Sequence, residues 1–271
     1  MGKMGLMPAR LAPDKFLSFF SPWGKSSPLL LTDYDGTLTP FVKEREKAFL
    51  PPKTKFLLKS ICEAGGEVII VSGRKPEEIY DFIELPLEIW GCHGMERIDK
   101  YGRSTRGYIP EEDLKKLDNF SSQLDYFPRG SVEKKPSGIA LHWRERTEIF
   151  DMYMEVSVKL LSEASSHSLK VMPFNGGVEF ILPYFNKGTA ITEISALYPK
   201  ACPICYLGDD ATDEDAFDEI RKLKSATGIL ISNDEKASSA NAYISQNEVD
   251  LFLYFWLNEM IPKGEGDDVR R

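Results

Sequence analysis

The stretch Leu29–Thr39, LLLTDYDGTLT, decides the fold. Its apolar run, Leu29 to Leu31, leads into Asp33, Tyr34, Asp35 and Gly36. A short unbroken apolar run that ends at glycine reads as a buried strand of a parallel sheet. Two carboxylates then sit at the strand's end, where open α/β sheets place their ligands. Asp33 and Asp35 start on the same side of the strand, and the turn at Gly36 can separate their roles. Carboxylates that close repel each other unless a proton or a cation lies between them. A hard, oxygen-seeking cation, Mg²⁺ in the first place, is the economical solution.

Working outward, strands and helices alternate. Residues 14–23, DKFLSFFSPW, suit a short amphipathic helix before the first strand. Lys53 to Ala64 carries Phe56, Leu57 and Ile61 at helical spacing, capped by Gly65-Gly66. Glu67–Val71 is a second buried strand ending at Ser72-Gly73-Arg74, and Pro76–Ile83 a helix with proline in its first turn. Such alternation calls for a parallel sheet with right-handed crossovers. Past Gly91–Glu96 the style changes. A hairpin at Ile98–Arg106, a helix at Glu111–Tyr126, strands within Ser131–Trp143, a helix at Thr147–Ser165 and strands at Leu169–Pro173 and Gly177–Leu182 predict an inserted α+β unit. The first pattern resumes with a helix at Gly188–Tyr198, a strand at Ile204–Leu207, a helix at Asp213–Lys222 and a strand at Thr227–Ser232. A last amphipathic helix covers residues 248–260. The expected division is a core of residues 1–97 and 183–271 with an insert of residues 98–182.

Composition narrows the function. The chain has 271 residues, 42% of them hydrophobic, enough for a large core. A net charge of −8 and a pI near 5.1 argue against nonspecific nucleic-acid binding. An acidic enzyme can still take an anionic substrate where lysine, arginine and a metal reverse the sign in one cleft. Four cysteines suggest no disulfide framework. There is no apolar run of about 18 residues and no signal-peptide h-region, so no membrane span is expected and the expected setting is cytoplasmic. The polar end, PKGEGDDVRR, is expected to fray.

Four strand-end clusters carry the chemistry. In the functional reading, Asp33 is a nucleophile toward phosphorus and Asp35 an acid and base. Surface turn aspartates are the plain alternative, against which the preceding apolar strand speaks. Gly208-Asp209-Asp210 and Thr212-Asp213-Glu214-Asp215 follow a second apolar strand. An acidic helix N-terminus accounts for Glu214 and Asp215 but poorly for Asp209. Asp209 reads as a metal ligand, and Asp213 as a further ligand or a helper that orients metal-bound water or Lys187. Ser72 can donate to a phosphate oxygen, Gly73 lets the anion near the backbone, and Ser72 can also cap the next helix. Lys187, in NKGTA, opens a helix against its dipole, which calls for a neighbouring carboxylate and a phosphate.

The order DxDGT, Ser, Lys, GDDxxD resembles the haloacid dehalogenase-like phosphohydrolase superfamily over Leu29–Arg74 and Asn186–Ile231. That resemblance implies a Rossmann-like parallel-sheet core with an inserted α+β cap of C2 type. It also implies Mg²⁺-dependent phosphoryl transfer through an aspartyl-phosphate on Asp33. By the same analogy the ligands are the carboxylates of Asp33 and Asp209 and the backbone carbonyl of Asp35, with Lys187 offsetting charge. DYDGTLTP, VSGR, GCHG, ALHWR, NKG and GDDATDEDAF together resemble the trehalose-6-phosphate phosphatase family over nearly the whole chain. This implies sugar contacts from Glu133, Lys135 and Glu179, with Thr37, Gly73, Arg74 and His93 also near the substrate. His93 reads equally well as a packed loop histidine; for Glu133 and Lys135 a solvated charge cluster is the lesser alternative.

The implied substrate is a sugar phosphate, trehalose 6-phosphate. Sucrose 6-phosphate, mannosyl-3-phosphoglycerate, a sugar-phosphate sensor and a phosphomutase are the alternatives. A signalling receiver fits the aspartates but not the insert. A monomer is expected, and a trehalose-6-phosphate synthase is the protein partner the resemblance suggests. Two departures bear on substrate choice. Phe180-Ile181-Leu182-Pro183 follows Glu179 where the family usually has Arg-Pro, and Ser137-Gly138 follows Lys135-Pro136 where it usually has Lys-Gly. His142 and Trp143 are expected to pack in the insert's core, and the CxxC of Cys202 and Cys205 to hold no metal.

Overall fold

The structure, a computed structural model, describes residues 6–24, 26–42, 45–144, 146–174 and 176–262. In chain order the elements are β1 (Ala9–Arg10), α1 (Phe16–Phe20), β2 (Leu29–Thr32), α2 (Pro52–Glu63), β3 (Val68–Val71), α3 (Pro76–Ile83) and β4 (Glu88–Gly91). Then come β5 (Glu96–Ile98), β6 (Ser104–Arg106), α4 (Glu111–Ser121), β7 (Val132–Lys135), β8 (Gly138–His142), α5 (Thr147–Ser166), β9 (Lys170–Phe174) and β10 (Gly177–Ile181). The last third holds α6 (Lys187–Ala196), β11 (Ile204–Gly208), α7 (Glu214–Ile220), β12 (Ala226–Ile231), β13 (Ala242–Ile244) and α8 (Val249–Phe255).

Nine strands form one sheet in the order β1-β13-β12-β11-β2-β3-β4-β5-β6, and four form a second, β7-β8-β10-β9. Neighbours from β1 to β4 run parallel, while the second sheet is antiparallel throughout. From β2 the chain builds outward through β3 and β4, then returns to β11 and builds the other way. The ends of β2 and β11 therefore flank the point where strand order reverses, the place where such sheets open a crevice.

Strand alternation explains the core. Leu30, Val68, Ile70, Cys205 and Leu207 pack on one face of the large sheet with α2 and α8. Leu29, Leu31, Ile69, Val71, Ile204 and Tyr206 pack on the other with α6 and α7. A third cluster, including Phe120, Leu141, Ile149, Leu160 and Phe180, fills the inserted unit. The runs are apolar on both faces because helices cover both.

Several expectations change. The hairpin expected to open the insert pairs with β4 instead, Ile89 opposite Ile98 and Trp90 opposite Arg97, and extends the large sheet. The turn at Cys92 and His93, both at positive φ, folds the chain straight back beside β4. Of the apolar residues read at helical spacing in α2, Leu57 and Ile61 are buried with Thr54 and Leu58, while Phe56 is 65% exposed. Beyond α8 the last turn widens to a π-helix over Trp256–Met260. The tail from residue 263 lies outside the described residues. Among the described residues no helix is long and apolar enough to cross a membrane.

Trp256 anchors the helical face. Its ring is fully buried and lies edge-on to Phe20 and Trp23, 5.7 and 6.3 Å between centroids. Trp256→Ala should cost about 3–5 kcal/mol of stability, seen as a lower urea midpoint.

Candidate active site

The strand ends bring the predicted residues together from the backbone upward. The Asp33 N–H donates to Leu207 O at 2.8 Å, fixing the end of β2 beside β11. Tyr34 points the opposite way, fully buried, and its hydroxyl donates to Ala48 O at 2.6 Å. Asp33 is thereby left facing the crevice. Its Oδ1 lies 2.9 Å from Lys187 Nζ, and both side chains are buried. Lys187 is the first residue of α6, whose N-terminus is closed by a capping box between Asn186 and Thr189. The dipole penalty inferred from sequence is met by carboxylates, since Lys187 Nζ also donates to Asp213 Oδ1 at 2.7 Å.

Asp213 is fully buried and already crowded with donors. Oδ1 accepts from Lys187 and from the Tyr206 hydroxyl, and Oδ2 from the backbone N–H groups of Asp209 and Asp210 at 3.0 Å each. That arrangement fits the helper role that orients Lys187 better than a direct ligand role. Asp33, Asp209 and Asp213 each bring a carboxylate oxygen within 4.8 Å of the other two. Three carboxylates thus gather at one ammonium, which pairs directly with Asp33 and Asp213. Burial, only partly countered by Lys187, raises the Asp33 pKa well above the ordinary carboxylate range. Burial, with the Asp213 and Asp210 charges, pushes Asp209 up to about 8. Burial alone would lower Lys187, but Asp213 and Asp33 outweigh it and hold the ammonium well above its usual value. An all-oxygen donor set with an unmet demand for positive charge fits a hard divalent cation.

Gly36 makes this closeness geometrically feasible. It sits at φ +77°, and a Cβ there would lie 2.1 Å from Asp209 Oδ2. Thr37 is fully buried; its hydroxyl is 3.5 Å from Asp209 Oδ1, so it braces the acidic cluster and does not line the cleft. The Asp35 carboxylate turns away from Asp33 into a bidentate pair with Arg74, 2.6 Å on each oxygen. Ser72 is buried and lines the cleft. Its Oγ accepts from the Arg74 N–H at 3.2 Å, and with Lys75 at the N-cap of α3 it caps that turn and not the helix.

The inserted unit closes one wall. Glu179 on β10 accepts from Lys135 Nζ at 3.0 Å and lies 3.2 Å from His93 Nε2. Lys135 also reaches Gly73 O at 3.3 Å. Burial would raise Glu179, but Lys135 and His93 outweigh it and hold the carboxyl well below its usual range. Glu179 Oε1 and His93 Nδ1 are buried with no hydrogen-bond partner, so this corner of the cleft has spare acceptor and donor capacity. His93 sits at φ +58° with its ring against Gly73, where a Cβ would come within 2.7 Å of Cε1. Glu133 stands elsewhere: it pairs with His142 at 3.0 Å and lines an adjoining cavity with Trp143 and Arg146. His142, expected in the core, lines both cavities, while Trp143 stacks on Tyr153. Cys205 is buried in the sheet core.

Sequence reading passed over Asp210, Lys236 and Gln246. Asp210 lines the cleft and caps Thr212 N at 2.7 Å, and the doubled aspartate was a usable signal. Lys236 donates to the Asp209 carbonyl, and nothing in NDEKASS marks it. Asp215 meets Lys170 of β9, tying the insert to the large-sheet unit.

Comparison with known proteins agrees with this geometry. A family model described as trehalose-phosphatase matches residues 31–249. Probable trehalose-phosphate phosphatase E of Arabidopsis thaliana is 28% identical over 255 residues, covering 83% of this chain and 68% of that protein. A trehalose-phosphate phosphatase of Mycobacterium tuberculosis (strain ATCC 25177 / H37Ra) is 29% identical over 205 residues, covering 71% of this chain and 51% of that protein. The chain thus spans about two thirds of the plant relative and about half of the mycobacterial one. Among solved structures, the C-terminal domain of a C. albicans trehalose-6-phosphate phosphatase matches with TM-score 0.78 at 20% identity, covering 94% of this chain and 99% of that one. A haloacid dehalogenase-like hydrolase from B. subtilis matches with TM-score 0.59 at 13% identity, covering 85% and 98%. At these identities the structural matches show the fold.

Two outcomes follow from the crowding. Gly36→Ala should cost roughly 1–3 kcal/mol of stability. Because its Cβ would displace Asp209, it should also slow phosphate release on the order of 100-fold. For an acid with a raised folded pKa, stability is full below the unfolded value and falls as pH rises toward the folded one. The metal-free protein should therefore lose Tm between about pH 4 and the Asp209 value of about 8, and added Mg²⁺ should raise Tm more at the alkaline end.

Proposed function

The chain belongs to the trehalose-phosphatase family, and from that premise we propose that it hydrolyses trehalose 6-phosphate to trehalose and phosphate. The observation that carries the chemistry is the Asp33 carboxylate, buried beside Lys187 and the Asp209 and Asp213 carboxylates at the mouth of a cleft shared with the insert.

In this reading Asp33 Oδ attacks phosphorus and the bond from phosphorus to the sugar oxygen breaks. Asp35 gives that oxygen its proton, leaving an aspartyl-phosphate on Asp33. Asp35 then takes a proton from water, which attacks phosphorus, and the bond to Asp33 breaks to release phosphate. Asp35 has to leave the Arg74 clamp to reach the leaving oxygen. Arg74 lines the same cleft and, once released, can face the incoming phosphoryl group. Lys187 and the Ser72 hydroxyl stabilise charge on the transferring group. Asp33 and Asp209, with the Asp35 carbonyl, would hold Mg²⁺, which supplies charge neutralisation for the phosphoryl oxygens. Lys135, Glu179 and His93 would recognise sugar hydroxyls, since a carboxylate, an ammonium and an imidazole together accept and donate. Glu133 lies one cavity further out, while His142 lines both cavities and would sit between them along a longer sugar.

Phosphate release should be fastest with trehalose 6-phosphate in a panel that includes sucrose 6-phosphate and mannosyl-3-phosphoglycerate, with Mg²⁺ present. Asp33→Asn should lower turnover by on the order of 10³-fold or more while leaving the fold intact. Turnover retained in that variant would refute the covalent route.

A further inference from the structure

The loop that carries Asp33 and Asp35 is held from 210 residues away. Gln246 Nε2 donates to two successive carbonyls, Gly36 O at 3.2 Å and Thr37 O at 2.7 Å. These are the residues whose backbone and hydroxyl lie against Asp209. The backbone N–H of Gln246 donates to Asn233 Oδ1 at 3.3 Å. It follows Ser245, whose N–H and hydroxyl donate to Glu248 Oε2 at 2.8 and 2.9 Å. Glu248 in turn takes a bidentate contact from Arg10 of β1, 2.5 and 2.6 Å. A line of polar contacts therefore runs from the sheet's outer edge to the backbone beside Asp209.

We propose that Gln246 is a positioning residue for the divalent cation site, acting through the Gly36–Thr37 backbone. The proposal rests on the phosphatase reading above, with a cation bound between Asp33 and Asp209. The side chain is neutral, so its effect is on position and not on charge. It fixes the one stretch of chain that can approach Asp209 without a Cβ, and so sets the spacing of the two carboxylates. Partners of this kind, one step removed from the ligands, typically change metal affinity by about 10–100-fold when lost.

The test is a Mg²⁺ titration of the chelator-stripped full chain, read by Tm, beside steady-state kinetics at saturating Mg²⁺. Gln246→Ala and Gln246→Met, the second close in length but without the amide, should each raise the half-maximal Mg²⁺ concentration by about tenfold. KM for the sugar phosphate should stay within about twofold, because these contacts do not reach the sugar-facing wall. Asn247→Ala, at the exposed neighbouring position, should behave as wild type. Variants that melt earlier but keep the wild-type Mg²⁺ midpoint would reduce Gln246 to a structural brace and overturn the proposal. A wild-type chain whose Tm ignores Mg²⁺ would overturn the cation reading itself, a distinguishable failure.

Discussion

Three carboxylates gathered around one buried ammonium set the terms for the rest of the molecule. Lys187 lies 2.9 Å from Asp33 and 2.7 Å from Asp213, and a single positive charge cannot balance both of these and Asp209. Removing charges from water costs several kcal/mol per ion even after relaxation, and attraction offsets this only where geometry is close and lone pairs are filled. Asp213 meets that condition, with donors on both oxygens. Asp33 and Asp209 do not, and their acids are correspondingly weakened. The proposed nucleophile, Asp33, shares this cluster with the proposed cation ligands, so a cation bound there would displace protons from the carboxylates it meets.

The scaffold meets this electrostatic demand by topology. β2 and β11 are neighbours although some 170 residues separate them, and their ends deliver Asp33 and Asp209 side by side. No single-residue choice creates that adjacency; it comes from the reversal of strand order at this seam. Residue choice then decides whether adjacency becomes contact. Gly36 removes the Cβ that would collide with Asp209. Gly208, at the end of β11, does the same for Asp213, where an added Cβ would lie 2.4 Å from Cγ.

Much of this was legible in the sequence, for identifiable reasons. Apolar runs of four or five residues announce buried parallel strands, and the carboxylates after them were read correctly as meeting across the sheet. Lys187 was legible because a lysine opening a helix is electrostatically odd. What the sequence hid falls into three kinds. Short strands such as β1 at the sheet's edge and β13 beside it, two and three residues long, are too short for any periodicity to show. The β5–β6 hairpin looks antiparallel whichever sheet it joins, so its partner was not readable. Lys236 and Gln246 work through backbone carbonyls, and a donor to a carbonyl leaves no compositional trace of its target.

In the proposed function, catalysis and substrate choice hang from different sheets, and the strand pleat keeps them apart. Along β10, Glu179 shares a face with Ile181, while Val178 and Phe180 point into the insert's core. Phe180 is fully buried, with its ring centroid 4.6 Å from that of Phe120. The pleat leaves Glu179 on the wall of the cleft with Lys135 and His93, the wall proposed to meet the sugar. Arg74 and His93 are where the two systems touch. One grips the carboxylate of Asp35, the proposed acid–base group, and the other joins the large-sheet unit to Glu179 of the insert.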